Sequence, residues 1–272
     1  MNYQNKNFGS PPPTYGAQFN GRPGYGVQQG YAQSTAGPVD LYGSEQVYDG
    51  SLSDPAVIAF TKRVYAYFTG GLLLATMAAI GGVYGTNYLV ASGQAKLLMP
   101  LAIGAGIANI ITYLVILFTR RNHSPFKLGL MVFYAATLGV TLGPILSVYV
   151  AQGMASVIAA AFGITTVIFF GLTVFTLVTG KDFRSIGGYL IGGVLLMLGL
   201  VLMSIFVPFG SMMTLVFCGL GIAISVGYIL WMTSQVTREY FYVQDAITPA
   251  VVLLTSFVNL FWYILRILGD RR

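Results

Sequence analysis

Two long stretches without a charged side chain, residues 128–180 and 185–237, constrain what this chain can fold into. Each contains 53 residues. A helix of that length would measure ~80 Å, whereas the hydrocarbon core of a bilayer is ~30 Å thick. Each stretch must therefore cross a membrane, turn and cross back. Turn-forming residues lie near each midpoint, Gly153 in the first stretch and Pro208 with Gly210 in the second, which predicts the turns at residues 151–153 and 208–211.

The composition agrees with a membrane protein, because 56% of the residues are hydrophobic and only 8% are charged. Soluble domains carry about 25% charged residues. We predict an all-α membrane protein, a bundle of seven transmembrane helices within residues 56–272. The predicted spans lie near residues 64–89, 97–118, 128–149, 155–178, 186–207, 212–233 and 248–268.

Residues 1–55 differ from the rest of the chain, being rich in Pro, Gly, Tyr and Gln and lacking hydrophobic periodicity. Such a segment buries too little apolar surface to offset the entropy lost on ordering, so we predict a disordered cytoplasmic tail. Two interpretations of the tail stay open. It is either a tyrosine-containing docking segment or a solvated spacer.

Lysine and arginine placement predicts the orientation of the bundle. One set of loops receives Lys62, Lys127, Lys181 and five arginines, whereas the opposite set receives only Lys96. The N-terminus should therefore be cytoplasmic. The seventh span has the lowest hydrophobicity, and the charge pattern fits either a full crossing or a re-entrant helix.

The sequence argues against an enzyme and against a cofactor, metal or nucleic-acid site. Cys218 and His123 are the only cysteine and histidine, so they cannot build a zinc site or a catalytic triad at membrane depth. None of the eight acidic residues lies inside a predicted span. The net charge of +6 comes from scattered basic residues rather than from a patch on a polar face.

Polar residues recur every three or four positions on helices 6 and 7, which predicts that two polar faces turn toward each other. This pattern has two interpretations, hydrogen bonding between helices or the lining of a transport pathway. The candidate residues are Tyr228, Met232, Thr233, Thr255, Ser256 and Asn259.

Several segments, in this order and spacing, resemble the Bax inhibitor-1 family and in particular its bacterial YccA branch. They are Leu142-Gly143-Pro144-Ile145-Leu146, Thr179-Gly180-Lys181-Asp182-Phe183, Gly227-Tyr228-Ile229-Leu230, and Asn259-Leu260-Phe261 ahead of Leu265-Arg266-Ile267-Leu268-Gly269. The resemblance implies a seven-helix fold whose last helix is surrounded by the others, in a bacterial cytoplasmic membrane. It also implies, for some members, a pH-dependent calcium leak through two facing aspartates.

This chain departs from that pattern at both aspartates. Trp231-Met232-Thr233 stands where those members have Tyr-Asp-Thr, and Ser256 stands three residues before Asn259 in place of the second aspartate. Neither Met232 nor Ser256 can titrate or hold a divalent cation by charge. The resemblance to YccA therefore favours a regulator or partner of a membrane-anchored AAA protease. The alternative is a weak or pH-insensitive calcium or cation leak between helices 6 and 7.

Overall fold

A computed structural model of the protein describes residues 55–119, 125–206, 210–237 and 245–270. Within these ranges the chain forms seven α-helices, each long and apolar enough to cross a membrane. The predicted fold class is thus confirmed. Residues 1–54, nearly the whole predicted tail, lie outside the described ranges, and its disorder stays a prediction. The helices are α1 Pro55–Ala91, α2 Leu98–Phe118, α3 Pro125–Ala151, α4 Ala155–Thr179, α5 Gly187–Phe206, α6 Ser211–Gln235 and α7 Ile247–Asp270.

Helix α1 is longer than predicted, because it begins at Pro55 rather than near residue 64. Val57, Phe60 and Val64 are buried at helical spacing, so the helix keeps packing on the bundle beyond the predicted span. Its 37 residues correspond to ~55 Å, more than the thickness of a bilayer core. Lys62 and Arg63, which the charge pattern placed before the first span, therefore lie on α1 itself.

Helix α7 is the core of the bundle. Of its most apolar stretch 61% is buried, against 6% to 33% for the other six helices. It packs against α1, α3, α4 and α6, whereas α5 packs mainly on α6. Helix α7 runs unbroken for 24 residues, or ~36 Å, which is the length of a full crossing. A re-entrant segment would need a reversal within this stretch.

Helices α1 and α3 approach closely at Gly82, Gly139 and Gly143. A Cβ atom added to Gly143 would collide with the backbone of Gly82, and one added to Gly139 would collide with the carbonyl oxygen of Ala75. Small residues let membrane helices approach until their backbones touch. Gly139 and Gly143 therefore lie where the backbones of α1 and α3 approach closely.

The first predicted turn is present at Gly153, and the loop between α4 and α5 uses the same glycine conformation at Gly180. Gly153 and Gly180 have positive φ angles of 73° and 59°, a conformation that glycine adopts without a Cβ penalty. After Gly180 the loop is attached to α6 by Ser234, whose Oγ accepts from the Phe183 amide at 3.2 Å and donates to the Lys181 carbonyl at 3.2 Å. Residues 208 and 209 of the second predicted turn lie outside the described ranges.

Candidate functional site

A small cavity separates α5 from α7 and is bounded by α6. It has a volume of about 170 Å³ and contains three of the predicted residues, Tyr228, Ser256 and Asn259. The polar faces of α6 and α7 therefore meet, as their spacing predicted. The full lining is Val194, Met197, Gly221, Ile224, Ser225, Tyr228, Ser256, Asn259 and Tyr263.

The hydroxyl protons of both serines in this cavity are used within their own helices. Ser225 Oγ donates to the Gly221 carbonyl at 2.8 Å, and Ser256 Oγ donates to the Val252 carbonyl at 2.8 Å. Each serine oxygen can still accept a hydrogen bond from a guest. A neutral polar space of this size can hold water, which needs two to four polar partners.

The cavity offers neutral oxygens but no carboxylate. Calcium takes six to eight oxygen ligands, and carboxylates supply most of the electrostatic attraction. Across the described ranges, no group of three or more His, Cys, Asp or Glu side chains could hold a metal ion. The arrangement can solvate a polar guest, but it lacks the fixed charge that would concentrate a divalent cation.

The other three predicted residues do not line this cavity. Met232 is only 1% exposed and packs in the hydrophobic core. Thr233 Oγ1 is 3.2 Å from the Tyr65 hydroxyl and connects α6 to α1. Thr255 Oγ1 donates to the Val251 carbonyl, so the Tyr134 hydroxyl, 2.6 Å away, must donate to Thr255. These two threonines mediate helix–helix hydrogen bonding, the first of the two interpretations of the polar faces.

A buried ion pair between Lys127 and Asp245 is the most polar feature that the sequence analysis missed. The Lys127 Nζ atom lies 2.6 Å from Asp245 Oδ2, and the two side chains are 1% and 8% exposed. The charge pattern predicts that Lys127 lies on a loop before the third span. Helix α3 instead begins at Pro125, which places Lys127 in its first turn and inside the protein.

Three helices meet at this ion pair. Asp245 Oδ1 accepts from the backbone amides of Ile247 and Thr248, each at 3.2 Å, so the side chain caps the start of α7. Its Oδ2 also accepts from Thr248 Oγ1 at 2.7 Å. Lys127 Nζ donates in addition to the carbonyl of Thr119, at the end of α2, at 3.2 Å. The pair therefore joins the ends of α2, α3 and α7, and most of its hydrogen-bonding capacity is satisfied.

One signal for half of this network was present in the sequence. An aspartate directly before an apolar helical run is a typical N-cap, and Asp245 stands in that place. Its partner could not be inferred, because Lys127 is 118 residues away in the chain. No local pattern connects the two.

Comparison with known proteins identifies the fold family. A family model described as "Inhibitor of apoptosis-promoting Bax1" matches residues 57–272, which include all but the first two residues of the seven-helix bundle. This chain belongs to the Bax inhibitor-1 family. The resemblance drawn from the motifs in α3, α6, α7 and the α4–α5 loop is thus confirmed.

Proteins from bacteria and from a fission yeast align with half or more of the chain. An uncharacterised protein of Campylobacter jejuni is 30% identical over 210 residues, covering 77% of this chain and 87% of the relative. Bax inhibitor 1 of Schizosaccharomyces pombe is 30% identical over 216 residues, covering 78% and 76%. The Escherichia coli protein named Modulator of FtsH protease YccA is 35% identical over 145 residues, covering 52% and 64%.

Proposed function

We propose that this Bax inhibitor-1 family protein binds and regulates a membrane-anchored AAA protease, as part of membrane protein quality control. The observation that carries the proposal is its 35% identity with a relative named as a modulator of such a protease. The proposed role involves no catalytic step and no cofactor. The proposed location is the bacterial cytoplasmic membrane, because the same relative is also named an inner membrane protein in a second E. coli strain.

The chemistry of the candidate site also supports a binding role. The cavity beside α7 is lined by neutral side chains, and Met232 is packed in the core where some relatives are expected to carry a carboxylate. A regulator requires a stable surface and a contact segment rather than a charged pore. The tail of residues 1–54 is the segment that we propose to contact the protease.

The proposal is tested by reconstituting the protease in proteoliposomes with a membrane-protein substrate and measuring ATP-dependent degradation. We expect the full-length protein to change the degradation rate at least three-fold and to crosslink to the protease. A variant lacking residues 2–54 should lose both effects. A variant with the same tail residues in scrambled order is the matched control, since it keeps length and composition.

The scrambled variant distinguishes the two interpretations of the tail. Loss of regulation in both tail variants would indicate a docking sequence, whereas retention in the scrambled variant alone would indicate a spacer. An unchanged degradation rate with the full-length protein, together with no crosslink to any protease component in native membranes, would contradict the proposal.

A cation leak is the second candidate function, and the cavity that holds Tyr228, Ser256 and Asn259 is the observation that favours it. Calcium flux into dye-loaded liposomes, measured at acidic and neutral pH, tests this alternative. A Met232→Asp/Ser256→Asp variant adds the missing carboxylates, and Met232→Asn/Ser256→Asn is its uncharged control. Flux through the natural sequence would favour the leak. If the natural sequence conducts no calcium and only the aspartate variant shows pH-dependent flux, the regulatory role is favoured.

A further inference from the structure

A long apolar cleft lies on the side of α7 opposite the polar cavity, with walls formed by α1 and α4. It has a volume of about 580 Å³, within the ~300–1,000 Å³ of pockets that bind small ligands. Phe257, Val258 and Phe261 of α7 form its inner wall, and α3 contributes Leu142, Leu146 and Val150. Ile80 of α1 and Phe162 of α4, which are 53% and 39% exposed, stand at the opening toward the surrounding membrane.

One end of the cleft is closed by aromatic side chains. The rings of Phe68 on α1 and Phe169 on α4 stack with centroids 4.6 Å apart, and both rings contact Phe257 edge-on. Helices α1 and α4 thus meet at this level and separate beyond it. The separation creates a lateral opening between two membrane-spanning helices, so lipid is the solvent at the entrance.

The opposite end of the cleft is polar. Asn87 lines it, and its Oδ1 accepts from Ser147 Oγ at 2.6 Å, one helical turn before α3 ends at Ala151. Within the described ranges the Asn87 amide nitrogen makes no hydrogen bond, so it can donate to a guest. Tyr84, 72% exposed, adds a hydroxyl at the same end. Polar groups near the end of a transmembrane helix lie at the depth of lipid headgroups.

The length of the cleft matches one leaflet of a bilayer. Its lining on α1 extends from Leu72 to Asn87, a rise of ~22 Å along a helix. Half of a bilayer, including its headgroup region, measures about 20–22 Å. An apolar cavity of this kind does not take up water favourably, since water would lose hydrogen bonds there.

We propose that this cleft is a binding site for one membrane phospholipid, with an acyl chain against α7 and the headgroup at Asn87 and Tyr84. The apolar wall matches the acyl chain and the single polar end matches the headgroup. The lateral opening lets the lipid enter from the membrane. The bound chain contacts Val258 and Phe261, which line the cleft and keep a small exposed surface. The site therefore connects the lipid environment directly to the central helix.

Photolabelling in nanodiscs tests this site. The discs contain phosphatidylethanolamine and phosphatidylglycerol with a small fraction of phospholipid that carries a diazirine on one acyl chain. We expect labelling at Val258 and Phe261, which line the cleft and are 7% and 5% exposed. Leu254, fully buried on the same helix, provides the unlabelled reference.

Two tryptophan variants on α4 make the test specific. Ala159 lines the cleft, so Ala159→Trp fills it and should reduce labelling of α7 at least five-fold. Val167, 73% exposed on the same helix but outside the cleft, provides the matched control, and Val167→Trp should leave α7 labelling within two-fold. The thermal midpoint of each variant in detergent shows whether the fold is retained.

Three results would overturn the proposal. The first is labelling of Val258 and Phe261 no stronger than that of Leu254. The second is labelling that a folded Ala159→Trp variant does not reduce. The third is capture of the protein's own tail or of a second copy by a photoreactive amino acid at position 159, since either would mean that protein rather than lipid fills the cleft.

Discussion

The environment of Lys127 in the folded protein differs from the one that the sequence predicts, because Lys127 pairs with Asp245 inside the bundle. In the sequence Lys127 contributes to a count of basic loop residues, whereas in the folded protein it is inside the bundle at 1% exposure. A buried ammonium is tolerated only when it is paired and hydrogen-bonded. Asp245 provides the pairing and at the same time caps α7, where the helix dipole favours a negative charge.

We predict that Asp245→Asn destabilises the protein by about 3–5 kcal/mol, the usual effect of leaving a buried charge without its partner. Asparagine can still cap α7, so the loss reports the ion pair rather than the cap. Lys127→Met should destabilise less, because Asp245 keeps three other donors from Ile247 and Thr248. Unfolding in detergent micelles, followed by circular dichroism, measures both effects.

The double variant Lys127→Met/Asp245→Asn is the control for this pair. If the two side chains interact as described, its destabilisation should be clearly smaller than the sum of the two single effects. Additive losses would mean that Lys127 and Asp245 contribute independently, and the proposed connection between α2, α3 and α7 would then be wrong.

The helices differ in what they contribute to the bundle. Helices α1 and α3 contact each other through glycines, with their backbones close together. Helix α7 packs on its neighbours through large apolar and aromatic side chains, and α5 is attached to the bundle mainly by its contact with α6. Among membrane helices hydrophobicity alone gives no preference for a partner, since lipid tails are equally apolar. Close backbone approach, ring contacts and a few hydrogen bonds therefore decide which helices are neighbours.

Substitution of Gly139 tests the α1–α3 contact. An added methyl group would meet the carbonyl oxygen of Ala75 and lie 2.7 Å from the Ala78 Cβ atom, so Gly139→Ala must push the helices apart. We expect a loss of about 1–3 kcal/mol from overpacking. Gly129 on the same helix has open space around it, and Gly129→Ala should be neutral or stabilising by up to ~1 kcal/mol. Equal thermal midpoints for the two variants would contradict the contact.

The described part of the molecule contains seven helices that are long and apolar enough to cross a membrane, which is an odd number. Its two ends should therefore lie on opposite sides of the membrane. The basic residues on the loops and helix ends predict which side is cytoplasmic. The burial of Lys127 removes one residue from that count, but Lys62, Lys181 and Arg184 remain on the predicted cytoplasmic side.

Cysteine accessibility in intact cells checks this orientation. In a Cys218→Ala background, a membrane-impermeant maleimide should label Gln152→Cys, between α3 and α4, and Asp270→Cys, at the end of α7, without permeabilisation. Ser185→Cys, between α4 and α5, should react only after the cells are permeabilised. The reverse pattern would mean that the topology is inverted. If position 270, like position 185, reacted only after permeabilisation, α7 would not cross the membrane.

Much of this protein follows from local sequence. The number of spans, their approximate ends, the glycine turn at position 153, and the family could be inferred because each depends on residues close together in the chain. The candidate site could be predicted only in part. Helical spacing brought Tyr228, Ser256 and Asn259 into one cavity, whereas Met232, Thr233 and Thr255 turned to other neighbours.

The remaining features were decided by the tertiary structure. The pairing of Lys127 with Asp245, the partners of the two threonines, and the lipid-sized cleft between α1 and α4 all join segments that are far apart in the chain. Hydrophobicity places a segment in the membrane, but the sequence does not state which side of each helix meets which neighbour. That choice depends on packing of the complete bundle, in which every polar group must find a partner and every gap must be filled by side chains or by lipid.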